Sequence, residues 1–119
     1  MAVDPDFLNH VIDLFSGHGP IRKGRLFGGT SLYVDDAMFG FISGDTVYMK
    51  ADETLRQRYA EAGSTPFSYA TKSDDRVITG LMSLPESALD DPDEAMEWLA
   101  LSLVPARAAA AEKLRKKAK

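Results

Sequence analysis

The sequence predicts an α+β fold with antiparallel strands, in the order α-β(3-4)-α-β(2)-α, and three observations predict it. Apolar residues recur at helical spacing from Phe7 to Phe15. Between Ile21 and Lys50 the period switches to two, broken only by turns too short for anything but antiparallel neighbours. A second helical stretch, two more strands and a last helical stretch then complete the chain.

The first helix opens at Asp4-Pro5, an N-cap acceptor followed by proline at the first helical position. Phe7, Val11 and Leu14 form one apolar row with Leu8, Ile12 and Phe15 beside it, and the helix is expected to reach about Ser16. Gly17, Gly19 and Pro20 stop it. Strands follow at about 21–27, 31–35, 38–43 and 46–50, with Asp35-Asp36 and Gly44-Asp45 as turns. Leu32 and Val34 point away from Tyr33, and Val47 and Met49 away from Tyr48 and Lys50, so one sheet face is packed and the other partly wet. Asp52 caps a second helix that carries Leu55, Tyr59 and Ala62 and ends at Gly63. PFSYAT and VITGLMSL are two further strands, separated by the polar turn KSDDR. Pro85 opens a short helical turn, PESALDD, and the last helix starts near Asp91-Pro92, presenting Ala95, Trp98, Leu99, Ser102 and Leu103. Pro105 is expected to kink or break it, separating a domain over residues 1–104 from a basic C-terminal helical extension over 105–119. That extension favours helix but is nearly stripeless, which predicts that it projects or frays.

A length of 119 residues, 45% of them apolar and 27% charged, suits one domain that needs no metal or disulfide staple. Cysteine is absent, which excludes a structural disulfide, a thiolate zinc site and a cysteine nucleophile, and fits a reducing compartment. The acidic, amphipathic N-terminus does not read as a signal peptide, and no apolar run approaches the roughly 20 residues of a membrane span. A cytoplasmic protein without membrane contacts is the expectation. Charge is uneven: Met1 to Val104 holds 8 basic against 17 acidic residues, for −9, and Pro105 to Lys119 holds 6 against 1, for +5. The acidic body discourages non-specific DNA binding. The basic tail reads first as a helix end whose cations complement the macrodipole, and second as a contact for nucleic acid or an acidic partner.

Little in the chain looks like chemistry. His10 has Asp6 and Asp13 about one turn away, but no second histidine or cysteine completes a metal spacing, and a surface or capping role is the simpler reading. His18 lies in a glycine-rich turn. No G-x-S-x-G elbow is present, and Asp35-Asp36, Asp74-Asp75 and Asp90-Asp91 fall where turns or helix starts favour aspartate. No catalytic residue, metal or cofactor is therefore expected. Lys23 and Arg25 share one strand face while Arg22 takes the other, and Lys50 could join the pair in a small cationic patch. Arg22, Lys23, Arg25, Lys113, Arg115, Lys116 and Lys117 are the candidate nucleic-acid contacts. Arg25, Tyr33, Tyr48 and Lys50 are the candidate contacts for a small molecule on the sheet face. Gly28 and Gly29 match neither a phosphate loop nor a dinucleotide fingerprint, and a strand rather than a helix follows them. They read as the structural hinge of the first hairpin, allowing a positive φ, a bulge or a close backbone crossing.

An ordered series of motifs adds a family. R-L-F-G-G-T-S-L-Y at 25–33 is followed by M-F-G-F-I at 38–42 and V-Y-M-K-A-D at 47–52. A-G-S-T-P-F-S-Y at 62–69 and L-P-E-S-A-L-D-D-P at 84–92 complete it before the Trp98 helix. In their order and spacing these segments resemble the TfoX N-terminal domain family, named for regulators of natural competence, over roughly residues 5–104. The resemblance implies a two-layer α/β domain whose antiparallel sheet has about five to six strands. Its motif residues here are Arg25, Phe27, Gly28, Gly29, Tyr33, Tyr48, Lys50, Phe67, Tyr69 and Pro85, with structural roles. Two departures stand out. Leu81 and Met82 occupy the place where many relatives have an aromatic pair, and a short basic helix stands where the full regulators continue into a helix-rich domain. A role in switching on DNA-uptake genes therefore transfers less well than that of a non-enzymatic regulatory or protein-interaction domain, whose partner is another protein or a second copy of the chain.

Overall fold

The computed structural model describes residues 4–26, 29–70 and 75–117. Helix α1 (Pro5–Phe15) and a 3₁₀ turn (Ser16–His18) lead into strands β1 (Arg22–Leu26), β2 (Gly29–Val34), β3 (Ala37–Ser43) and β4 (Thr46–Lys50). Helix α2 (Glu53–Glu61), strands β5 (Pro66–Ala70) and β6 (Asp75–Ser83), the short α3 (Glu86–Leu89) and the long α4 (Pro92–Lys117) follow. The class and element order are those the sequence predicts. The strands form one antiparallel sheet in the order β1-β2-β3-β4-β6-β5.

Local chemistry sets the ends of these elements. The Asp4 carboxylate accepts from the Asp6 amide at 2.9 Å, that of Asp52 from Leu55 at 2.8 Å, and that of Asp91 from Asp93 at 3.0 Å. Each such cap is worth about 1 kcal/mol. Gly63, at φ +91°, ends α2 in a conformation that side chains disfavour. Asp35 turns between β2 and β3 at φ +53°, which aspartate tolerates better than most residues.

Two layers result because the helices bury their apolar residues against one sheet face. Val11, Leu14 and Phe15 of α1, Leu55 and Tyr59 of α2, Ala88 of α3, and Ala95, Leu99 and Leu103 of α4 share a cluster with Leu32, Val34, Phe39, Ile42, Val47, Met49 and Met82. Phe15 meets Phe39 edge-on at 5.3 Å between ring centres. Strict alternation along β3 would put Phe39 and Ile42 on opposite faces. Leu32 pairs with Gly40 and Tyr33 with Met38, so Phe39 is an inserted bulge residue, and both side chains reach the helix side.

The other face differs from the partly wet surface expected. Phe41, Phe67 and Leu81 are buried there as a second cluster, with Met38, Tyr48 and Ile78 packed against it. Phe41 and Tyr48 each contact Phe67 edge-on at 5.0 Å.

Two expectations for the C-terminal segment, a break at Pro105 and a projecting or frayed extension, are corrected. α4 continues through Pro105 as one 26-residue helix. Leu103 and Ala106, on either side of the proline, are buried, and Ala110 also packs on the core. Tertiary packing therefore holds the helix together and anchors the first turns of the segment that was expected to project. The strand boundary at the glycine pair also moves. β2 starts at Gly29, paired with Leu26, so Gly29 is inside the ladder. Phe27, Gly28 and most of the KSDDR turn lie outside the described residues, as do the side chains of Tyr69 and Lys117.

Candidate functional site

β1 is an edge strand whose side chains alternate between the two faces. Lys23 pairs with Leu32 and Arg25 with Thr30, which puts both cations on the helix side of the edge. Exposed cations there oppose edge-to-edge pairing with another sheet. Arg22 pairs with Tyr33 on the opposite face. Lys50 pairs with Leu81, a member of the second cluster, so it too lies on the helix-free face. The expected patch of Lys23, Arg25 and Lys50 is therefore divided by the sheet.

Arg22 instead belongs to a corner site. Its guanidinium lies 5.0 Å from the centre of the Tyr33 ring, donates to the Asp35 carbonyl at 3.2 Å, and sits 3.6 Å from the Asp36 carboxylate. The far end of α4 reaches the same corner. Arg22, Tyr33, Asp36, Ala110, Lys113 and Leu114 line a groove of about 320 Å³. Of the candidate nucleic-acid contacts, Arg22 and Lys113 thus come together. Lys23, Arg25, Arg115 and Lys116 are not among the lining residues, and Lys116 lies 3.9 Å from Glu112.

A larger groove of about 550 Å³ lies elsewhere, between the β3–β4 turn, the α2–β5 connection and the start of α3. Three of the quoted motif segments meet in it, through Val47-Tyr48, Ala62 to Thr65, and Leu84 to Glu86. Its walls are polar: Ser83 Oγ accepts from the Thr65 amide at 3.0 Å, and Asp45 and Glu86 add carboxylates. Ser64 lines it too, with a buried hydroxyl that has no hydrogen-bond partner among the described residues. Reading the sequence missed this groove, because its residues are ordinary turn formers until the fold gathers them. Tyr48 and Pro85 lie here and Tyr33 in the corner groove, while Arg25 and Lys50 line neither. The four expected small-molecule contacts do not form one site.

His10 is placed by its Nε2, which donates to the Leu89 carbonyl at 2.8 Å and ties α1 to α3. Among the described residues no group of three or more histidine, aspartate or glutamate side chains is placed to hold a metal.

The remaining feature is the outer side of α4. Its inner side, with Ala95, Leu99, Ser102, Leu103 and Ala106, is buried. Directly opposite run Glu97, Ala100, Val104, Ala108, Ala111 and Arg115, all exposed. Val104 is 66% exposed and Leu114, nearby on the same helix, 61%. Apolar side chains left in water along a rigid helix are what a docking surface needs.

A family model described as TfoX N-terminal domain matches residues 13–106, most of the chain. No curated protein matches the chain.

Proposed function

The chain belongs to the TfoX N-terminal domain family, and from that premise we propose a non-enzymatic regulatory domain that acts by protein contact in the cytoplasm. One observation carries the reading: Val104 stands 66% exposed at the centre of a helix face whose opposite side is committed to the core. A partner covering that face would bury apolar surface without disturbing the fold. Among the described residues no helix is long and apolar enough to cross a membrane, so the reading needs no membrane partner. A link to transcriptional control of competence rests on the family alone and is part of the proposal. Crosslinking in the native cell, with identification of the products, tests it. The wild type is expected to capture a protein partner or itself, and Val104→Glu to lose that capture while its stability stays within about 0.5 kcal/mol. Equal capture by both proteins, or none by either, overturns it.

A second reading, nucleic-acid binding, draws support from the meeting of Arg22 and Lys113 around Tyr33. Asp36 in the same groove and the acidic body oppose it. The reading expects affinity for single-stranded or duplex DNA that falls with salt. In Arg22→Ala/Lys113→Ala, the slope of log K against log salt should shallow by about two. A flat titration at low salt ends it.

A further inference from the structure

We infer that the exposed face of α4 is self-complementary and pairs antiparallel with α4 of a second copy of the chain. The inference rests on the protein-contact reading above and names its partner. Glu97, Ala100, Val104, Ala108, Ala111 and Arg115 follow one another at spacings of 3, 4, 4, 3 and 4 residues. At about 100° per residue all six fall within about 40° of a single line along the helix. Because α4 runs uninterrupted through Pro105, that line is continuous.

Glu97 and Arg115, and Val104 and Ala108, are centred on the level of Ala106, and Ala100 and Ala111 are centred half a residue away. A two-fold axis crossing the helix at Ala106 sets Val104 opposite Ala108 of the second copy, Ala100 opposite Ala111, and Glu97 opposite Arg115, each pair occurring twice. Alanine at three of the six positions lets the axes approach to the lower end of the 8–10 Å range for packed helices. Neither Glu97 nor Arg115 takes part in an ion pair among the described residues. Charge also selects the direction. The first part of α4 carries the acids Asp93, Glu94 and Glu97, and the last part carries Arg107, Lys113, Arg115 and Lys116 against the single acid Glu112. Antiparallel pairing matches acid to base and opposes the two macrodipoles, whereas parallel pairing sets like against like.

A surface that carries acid and base at equal distances on either side of one midpoint, with small residues between them, meets the self-complementarity of an isologous contact. Ala108, Ala111 and Arg115 lie beyond the residues matched by the family model, so the pairing belongs to this chain and not to the family as a whole. From Glu97 to Arg115 the contact runs about 27 Å. A single helix pair buries less than the roughly 1,600 Å² of a standard interface, which makes the dimer weak and reversible.

Sedimentation velocity of the full chain at low salt, up to about 1 mM, tests the pairing. The wild type is expected to show a concentration-dependent monomer–dimer equilibrium. Glu97→Arg and Arg115→Glu should each weaken it about tenfold or more, and Glu97→Arg/Arg115→Glu should restore it. The absence of cysteine gives a second measurement. When equal amounts of Val104→Cys and Ala108→Cys proteins are mixed and oxidised, the mixed disulfide should clearly exceed the half share that random pairing gives. A monomer at every concentration, single charge reversals without effect, a double reversal that fails to restore, or a mixed disulfide at or below that share overturns the inference. If the chain is monomeric while Val104→Glu still abolishes capture of another protein, the self-pairing falls and the protein-contact reading stands. If Val104→Glu changes neither, both fall.

Discussion

Gly29→Val is expected to leave no cooperatively folded protein, or to lower stability by at least about 3 kcal/mol. The reason is the close approach of the start of β2 to its neighbour β3. A Cβ at position 29 would overlap the Ile42 carbonyl oxygen and lie 2.8 Å from Cε1 of Phe41. The carbonyl belongs to the paired backbone of β3, where Ile42 faces Thr30, so it cannot retreat without opening the ladder. Phe41 cannot give way either, since it is fully buried against Phe67. Gly17→Ala is the control. There a Cβ would meet the Met96 sulfur at 3.8 Å and its methyl at 3.9 Å, both ordinary contacts, and stability should stay within about 1 kcal/mol of wild type. Chemical denaturation followed by near-ultraviolet circular dichroism reads both. A Gly29→Val protein of wild-type stability would overturn the structural role assigned to this glycine.

The order of elements was legible because each segment announces its own period and carries its own stop. Asp4-Pro5, Asp52 and Gly63 are local signals, and the structure uses each as a cap or terminator. Which side chains meet across strands was not legible. Alternation within β1 and within β4 gives faces relative to each strand alone, and only the register joins them. That is why Lys50 was grouped with Lys23 and Arg25, although the sheet puts it on the opposite face. The bulge at Phe39 adds a further slip that no residue type marks.

Pro105 misled the reading of α4 in a different way. Interior proline costs a helix about 3 kcal/mol or more, which argues locally for a break. Leu103 and Ala106, buried on either side, supply the compensation that a local rule does not contain. Once the helix is taken to end there, Ala108, Ala111 and Arg115 have no phase relation to Glu97, Ala100 and Val104. The segment then looks stripeless. Its pattern becomes visible only with the helix continuous, so the most informative candidate surface depended on a tertiary fact.

Tyr59→Ala should destabilise the domain by about 4 kcal/mol or more. Tyr59 is fully buried, and it is the larger of the two buried side chains through which α2 meets the core. Its ring stacks on Trp98 of α4 at 4.3 Å, and its hydroxyl lies 2.6 Å from Ser102 Oγ. Trp98 is held in turn by Glu94, which accepts from the indole Nε1 at 3.2 Å and from Ser87 Oγ at 2.7 Å. Truncation therefore opens a cavity and leaves the buried Ser102 hydroxyl unpartnered. Tyr59→Phe keeps the stack and loses only the hydrogen bond, for about 1–2 kcal/mol. Ser102→Ala should cost a similar amount, and the double variant less than the sum of the two. The same residue sets a pH dependence. Burial pushes the Tyr59 phenol well above its usual range, and the hydrogen bond to Ser102 only partly opposes this. Above about pH 10 the phenol ionises in the unfolded chain but stays protonated in the folded one. The folded state then binds more protons, so stability falls as pH rises, by up to about 1.4 kcal/mol per pH unit from this group. Urea denaturation between pH 9 and about 11.5 should show that decline in the wild type and a shallower one in Tyr59→Phe, because that variant lacks the buried phenol. Equal slopes would mean that Tyr59 ionises as freely in the folded protein as in the unfolded one, and the buried link between α2 and α4 would lose its support.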